Sequence, residues 1–192
     1  MDEIKINKLY PTQLSVGYEQ VNEKLEKLKS KNKHKLDIYL KEHIVPVILG
    51  TDDKFYIIDH HHLCFAAIKH NINKVYIKVI EDWSKLSNKD FWKKMYENKY
   101  IWLYDEYGNN IELENFCNLL PNKIKDLKND PYRSLAGIIR KRGYYEKDWT
   151  PFSEFQWANY FRENGIILDY NKIVISEEII NQAIELTIKK NK

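Results

Sequence analysis

The segment that most restricts the fold is residues 55–69. Phe55, Tyr56, Ile57 and Ile58 form an apolar, strand-prone run, and Asp59, His60, His61 and His62 follow at once. A helix pattern then runs over residues 60–69, with Leu63, Ala66 and Ala67 on its buried face. A buried strand feeding a helix through a polar turn is an α/β unit, which needs a sheet with helices packed on it. Neighbouring segments read the same way. Ile4 and Ile6 alternate as a short strand ahead of Pro11, and residues 18–33 place Val21, Leu25 and Leu28 at helical spacing with lysines opposite. Residues 34–43 make a second, shorter helix. Pro46 splits the apolar run 44–49, which predicts an edge or irregular strand, because proline lacks an N–H for the ladder. Asp52-Asp53 turns the chain, and Val75, Ile77 and Val79 alternate with Tyr76, Lys78 and Ile80 as a further strand.

The second half reads mostly helical. Ser87 caps a helix carrying Phe91, Trp92, Met95 and Tyr96. Asp130-Pro131 opens another that Gly143 stops, and Thr150-Pro151 with Gly165 repeats that pair of signals. Ser176 opens a terminal helix. The expected fold class is therefore α/β (α+β): a core over residues 1–82, with a helical C-terminal extension over residues 83–192 packed on it as one compact unit.

Composition narrows the setting. Of 192 residues, 43% are apolar and 31% charged, which fits a folded rather than a disordered chain. A net charge of +3 suits local contact with anions but does not identify a nucleic-acid binder. Two cysteines without a C-x-x-C pair argue against a disulfide framework or a cysteine zinc site. No basic-then-apolar N-terminal segment is visible, and no apolar run nears the ~20 residues that span a bilayer. The expectation is a soluble cytoplasmic protein that makes no membrane contact.

The polar turn is the first candidate site. Backbone N–H groups at a helix start lack partners and favour anions, phosphates above all. Imidazoles there donate to phosphate oxygens, carry protons near neutral pH or bind metal. Asp59, His60, His61 and His62 are thus the catalytic candidates, with Asp59 also the natural N-cap. Successive helical side chains diverge by about 100°, so at most two of the three histidines share a site and one is structural. Asp59 is the one carboxylate near them, so no metal ligand set is assigned. Gln13, in the loop 9–17, is placed to fold over a ligand, although an ordinary strand-to-helix connection has the same composition. Arg133 and Arg140 lie seven apart on one helix face with Gly137 between them, which leaves room for a phosphate or another backbone; the plain alternative is a basic face paired with carboxylates. Glu154 falls in a first helical turn, where a carboxylate suits the helix dipole or holds a ligand. Cys64, one turn into its helix, reads as buried packing.

The ordered segments "LYPTQLSVG", "PVILG", "FYIIDHHHLCFAA", "DPYRSLAG" and "TPFSEFQWANYFR" resemble the ParB-like nuclease branch of the ParB/sulfiredoxin superfamily over about residues 4–162. That resemblance implies a small mixed sheet with helices and phosphoryl chemistry on a nucleotide or nucleic acid. Relatives grip phosphates through a Gly-Glu-Arg-Arg or Gly-Cys-His-Arg turn, where this chain carries Asp59-His60-His61-His62. Its arginines are absent here, leaving Arg133 or Arg140 to substitute, and Cys64 falls too late to serve as a sulfiredoxin cysteine. No helix-turn-helix reader is evident. On this reading His60 and His62 meet phosphate oxygens, Asp59 orients a histidine or acts as base, Gln13 closes from the first loop, and Arg133 neutralises charge. One alternative is a nucleotide-dependent small-molecule kinase of the free-serine type, which implies Mg²⁺ and a nucleotide. The other is a noncatalytic module for nucleotides or nucleic acid.

Overall fold

A computed structural model describes residues 2–146 and 150–191. Five strands form one mixed sheet: β1 (Asp2–Lys5), β2 (Leu9–Tyr10), β4 (Val45–Leu49), β5 (Phe55–Ile57) and β6 (Lys74–Asp82), in the order β1-β6-β4-β5-β2. The β4 strand runs parallel to β6 and antiparallel to β5. Alternation sends Val45, Val47, Ile57, Val75 and Ile77 to one face, against helices α1 (Tyr18–Lys29) and α3 (His61–Lys69). Ile48 and Tyr56 point to the other face, into an aromatic cluster with Phe91, Trp92 and Met95 of α4 (Asn88–Glu97) and Phe116 of α5 (Leu113–Leu119). With both faces covered, β4 reads as a continuous apolar run.

Of the two expectations for the Pro46 run, the irregular strand holds, since the β4–β6 register shifts between Val47 and Ile48, and the edge strand is corrected, since β4 lies inside the sheet. The Pro46 carbonyl faces β5 and accepts from Ile58 N at 3.1 Å, just beyond the last residue of that strand. The missing N–H therefore falls where the β5 ladder ends. The residues expected as one helix over 18–33 stop at Lys29, and α2 (Lys33–Glu42) begins after Asn32, whose side chain accepts from Lys35 N.

The C-terminal half is built around α6 (Pro131–Lys141), which packs on α7 (Ser153–Glu163), α8 (Glu177–Lys190) and α1. Asp130 caps α6 as expected, accepting from Tyr132 N and Arg133 N, and Ser87 and Ser176 cap α4 and α8. The two halves are stitched together by a parallel pairing of β3 (Ser15–Val16) with β7 (Lys128–Asn129). That pairing sets the 12–17 loop beside the start of α6. Gly17 and Gly137 allow the close approach of α1 and α6: a Cβ on Gly137 would sit 2.4 Å from Gln20 Nε2. The space beside Gly137 is thus filled by Gln20 rather than by a phosphate. Among the described residues no helix is long and apolar enough to cross a membrane.

Candidate functional site

Asp59 does not cap α3. Its Oδ1 accepts from His60 N at 2.6 Å, and His60 itself is the N-cap, held in the left-handed region at φ 64 with no side-chain cap bond. The helix therefore starts one residue later than its pattern predicts, which leaves His60 outside the helix while His61 and His62 keep their helical phase with the buried Leu63, Ala66 and Ala67. His60 turns away toward α2, its ring 6.2 Å from that of His43. His61 and His62 instead line a cavity of about 300 Å³ together with Gln13, Asp59, Arg133 and Glu154.

Both cavity histidines are acceptors. Thr12 N donates to His61 Nε2 at 3.2 Å, and Gly17 N donates to His62 Nε2 at the same distance. A ring nitrogen that accepts a backbone N–H carries no proton, so the geometry assigns the neutral tautomer with hydrogen on Nδ1. Burial pushes His61 down to about 3 and holds His62 well below the usual imidazole range, with Arg133 adding to the latter shift. These rings pin the 12–17 loop, helped by Thr12 Oγ1 donating to Ile57 O at 2.7 Å. Gln13 is part of the same fixed loop, its Nε2 donating to Ser15 O at 2.6 Å. Burial also pushes the Cys64 thiol up to about 12, so it is inert packing.

Among the described residues two cations, Arg133 and Lys99, and two carboxylates, Asp59 and Glu154, line the cavity. Glu154 accepts from Arg140 Nη1 and lies 3.7 Å from Arg133 Nη2. Arg140 reaches the site only through Glu154, whereas Arg133 is part of the wall. Lys99 lines the same wall, and Lys24 lies close enough to feel both Asp59 and Arg140. Arg133 is 8% exposed, its Nε finds no hydrogen-bond partner, and burial lowers it to about 10, still charged at neutral pH. The start of α7 reaches the cavity too. Thr150-Pro151 does not open that helix as expected; it begins at Ser153, behind Phe152 at φ 60 and again without a side-chain cap. Two helix starts lacking side-chain caps, α3 and α7, thus border one cavity beside a buried cation. By contrast, side chains meet the first N–H groups of α1, through His62, Asn129 and Ser134. Among the described residues no group of three His, Cys, Asp or Glu is arranged to hold a metal ion.

Six of the eight site residues expected from sequence meet at this cavity: Asp59, His61, His62, Gln13, Arg133 and Glu154. Lys99, Phe152 and Lys24 were not foreseen. Lys99 follows the end of α4 with φ 57 and no periodic pattern marks it, although a lysine after a helix stop is a modest signal of a cation near carbonyl groups.

No curated protein matches the chain. The crystal structure of protein Atu1540 from Agrobacterium tumefaciens is similar, with TM-score 0.84 and 34% identity, covering 97% of this chain and 89% of that one. The family model described as "Putative ParB-like nuclease" matches residues 2–163. With that match spanning most of the sheet, the histidine turn and the α6–α7 pair, the chain belongs to the ParB-like nuclease family.

Proposed function

We propose that this cavity binds a phosphate group and that the protein performs phosphoryl chemistry on a nucleotide or nucleic acid. The observation that carries the reading is Arg133: a charged guanidinium, nine-tenths buried, that lines a cavity bordered by two helix starts and has its carboxylate neighbour beyond hydrogen bonding. A bound phosphate supplies the acceptor that Arg133 lacks, and the N–H groups opening α3 stabilise the same charge. Glu154 holds the two arginines at a working distance and keeps them from repelling each other. His61 and His62 act as positioning residues: neutral rings that hold the 12–17 loop, and Gln13 with it, against the cavity. Asp59, exposed at the mouth, is the carboxylate placed to take a proton from an attacking hydroxyl or water.

Calorimetric titration with inorganic phosphate and with short single and double strands, with and without Mg²⁺, tests the binding half. Binding should weaken as salt rises. Arg133→Gln should weaken it by roughly ten- to a hundredfold, the range for a lost hydrogen bond to a charged group. Turnover of labelled strands, and of labelled ATP with small hydroxyl compounds, tests the chemical half, with Asp59→Asn as the inactive control. Undiminished phosphate binding in Arg133→Gln would count decisively against this site.

A further inference from the structure

The phosphate cavity opens sideways. Lys99, Thr150, Pro151 and Phe152 line it and also line a second cavity of about 570 Å³, so the two share a border. The second cavity has a different character. Its wall carries the rings of Trp102, Tyr104 and Phe152: Trp102 stacks on Tyr104 with centroids 4.5 Å apart and Phe152 lies 5.2 Å from Trp102, with the buried Phe155 stacked on Trp102 at 5.2 Å from the phosphate-cavity side. Phe152 is the N-cap of α7 and Phe155 lies in its first turn, so the start of α7 walls the phosphate cavity and anchors the Trp102 ring beside it. Trp102, Tyr104 and Phe152 are only partly buried. Asn110 and Gln156 add amide groups to the same cavity.

Flat π-faces beside amides that both donate and accept, next to an anion site, match a planar heterocycle carrying a phosphate. We infer that the second cavity is a nucleobase subsite, so that the ligand is a nucleotide unit with its phosphate at Arg133 and its base against the Trp102–Tyr104 rings. Lys99, exposed at the shared border, then faces the sugar-phosphate link. The inference rests on the phosphate reading above and adds to it the place of the base. The unit is either a free mononucleotide or the 5′ end of a strand, and the chemistry at the two cavities is the same for both.

The test is a ligand series on the intact chain: inorganic phosphate, ribose 5-phosphate, AMP and a 5′-phosphorylated dinucleotide. AMP should bind roughly tenfold or more tighter than ribose 5-phosphate, the gain expected from one stacked base. It should also quench tryptophan fluorescence where ribose 5-phosphate does not. Tyr104→Ala should erase the advantage of AMP and leave ribose 5-phosphate affinity unchanged, which also shows that the variant is folded. A tighter dinucleotide identifies a strand end, and an equal one a mononucleotide; both support the subsite. Equal affinities for AMP and ribose 5-phosphate would overturn the subsite while leaving the phosphate site standing. So would an AMP advantage that survives both Tyr104→Ala and Trp102→Leu. Failure of all four compounds to bind would overturn both readings.

Discussion

Arg133 on α6 and Arg162 on α7 are both largely buried, and both face a carboxylate. Their surroundings differ. Arg162 donates to Asp130 Oδ1 at 2.5 Å, to Glu106 O at 3.1 Å and to Asn159 Oδ1 at 2.7 Å, and it sits over the Tyr132 ring. Asp130 in turn caps α6, so this pair closes a network whose members serve one another. Arg133 has Glu154 at 3.7 Å, a distance beyond hydrogen bonding, and the Phe155 ring at 5.3 Å. Glu154 is engaged by Arg140 instead. The contrast separates two uses of a buried guanidinium. Both leave Nε without a hydrogen-bond partner, so the contrast lies in the Nη groups: those of Arg162 hold the fold together, while Arg133 is kept charged and dry with its carboxylate beyond hydrogen bonding, an arrangement that costs stability unless a ligand completes it.

The largest expected effect breaks the arginine whose Nη groups the fold engages. Arg162→Met strands Asp130 without its counter-charge and should destabilise by roughly 3–5 kcal/mol in denaturant unfolding. A loss below about 1 kcal/mol would mean that the network is ornamental and the contrast false.

His61, like the Nη groups of Arg162, is engaged by the fold, so His61→Ala should cost about 1–3 kcal/mol by leaving Thr12 N–H without an acceptor. Its titration gives a second reading. The folded His61 sits at about 3 against 6.5 for an ordinary histidine, so between those values the unfolded chain binds more protons. Its contribution is complete above pH 6.5 and falls as the pH drops through that window, by up to about 1.4 kcal/mol per pH unit. The expected result is a steeper loss of stability with acid in the wild type than in His61→Ala. Equal slopes would show a ring that takes up its proton in the folded state.

How much of this was legible before folding depends on how local each determinant is. The Asp130-Pro131 start was readable because cap and helix lie within four residues and nothing distant competes. Thr150-Pro151 looked equivalent and was not, because Phe152 is drawn to the Trp102 and Phe155 rings and takes a left-handed conformation that moves the helix start to Ser153. The mixed α/β fold followed from strand and helix periodicity, yet the interior place of β4 did not. A proline bars a ladder bond only on the side its nitrogen faces, and the end of β5 on that side is a tertiary fact. At the site, Gln13, Arg133 and Glu154 stood out by position in loops and helix starts, and folding brought them together. Which histidines faced them was beyond pattern reading, because periodicity fixes the angle between successive rings but not that His60 takes a left-handed conformation and turns away. The aromatic cavity gave no warning either, since Trp102 and Tyr104 lie in an irregular segment without periodicity.

The smallest change in stability should come from Arg133, whose carboxylate neighbour lies beyond hydrogen bonding, and it decides the matter most directly. Arg133→Met removes a buried charge whose carboxylate neighbour keeps Arg140, so unfolding free energy should stay within about 1 kcal/mol of wild type or rise, as replacement of buried ionic groups by apolar ones often allows. The decisive measurement is phosphate affinity and unfolding free energy on that one variant, beside wild type. Affinity lost with stability kept or gained is the expected result. Affinity kept, with stability lost by several kcal/mol, would contradict it and make Arg133 a structural arginine like Arg162.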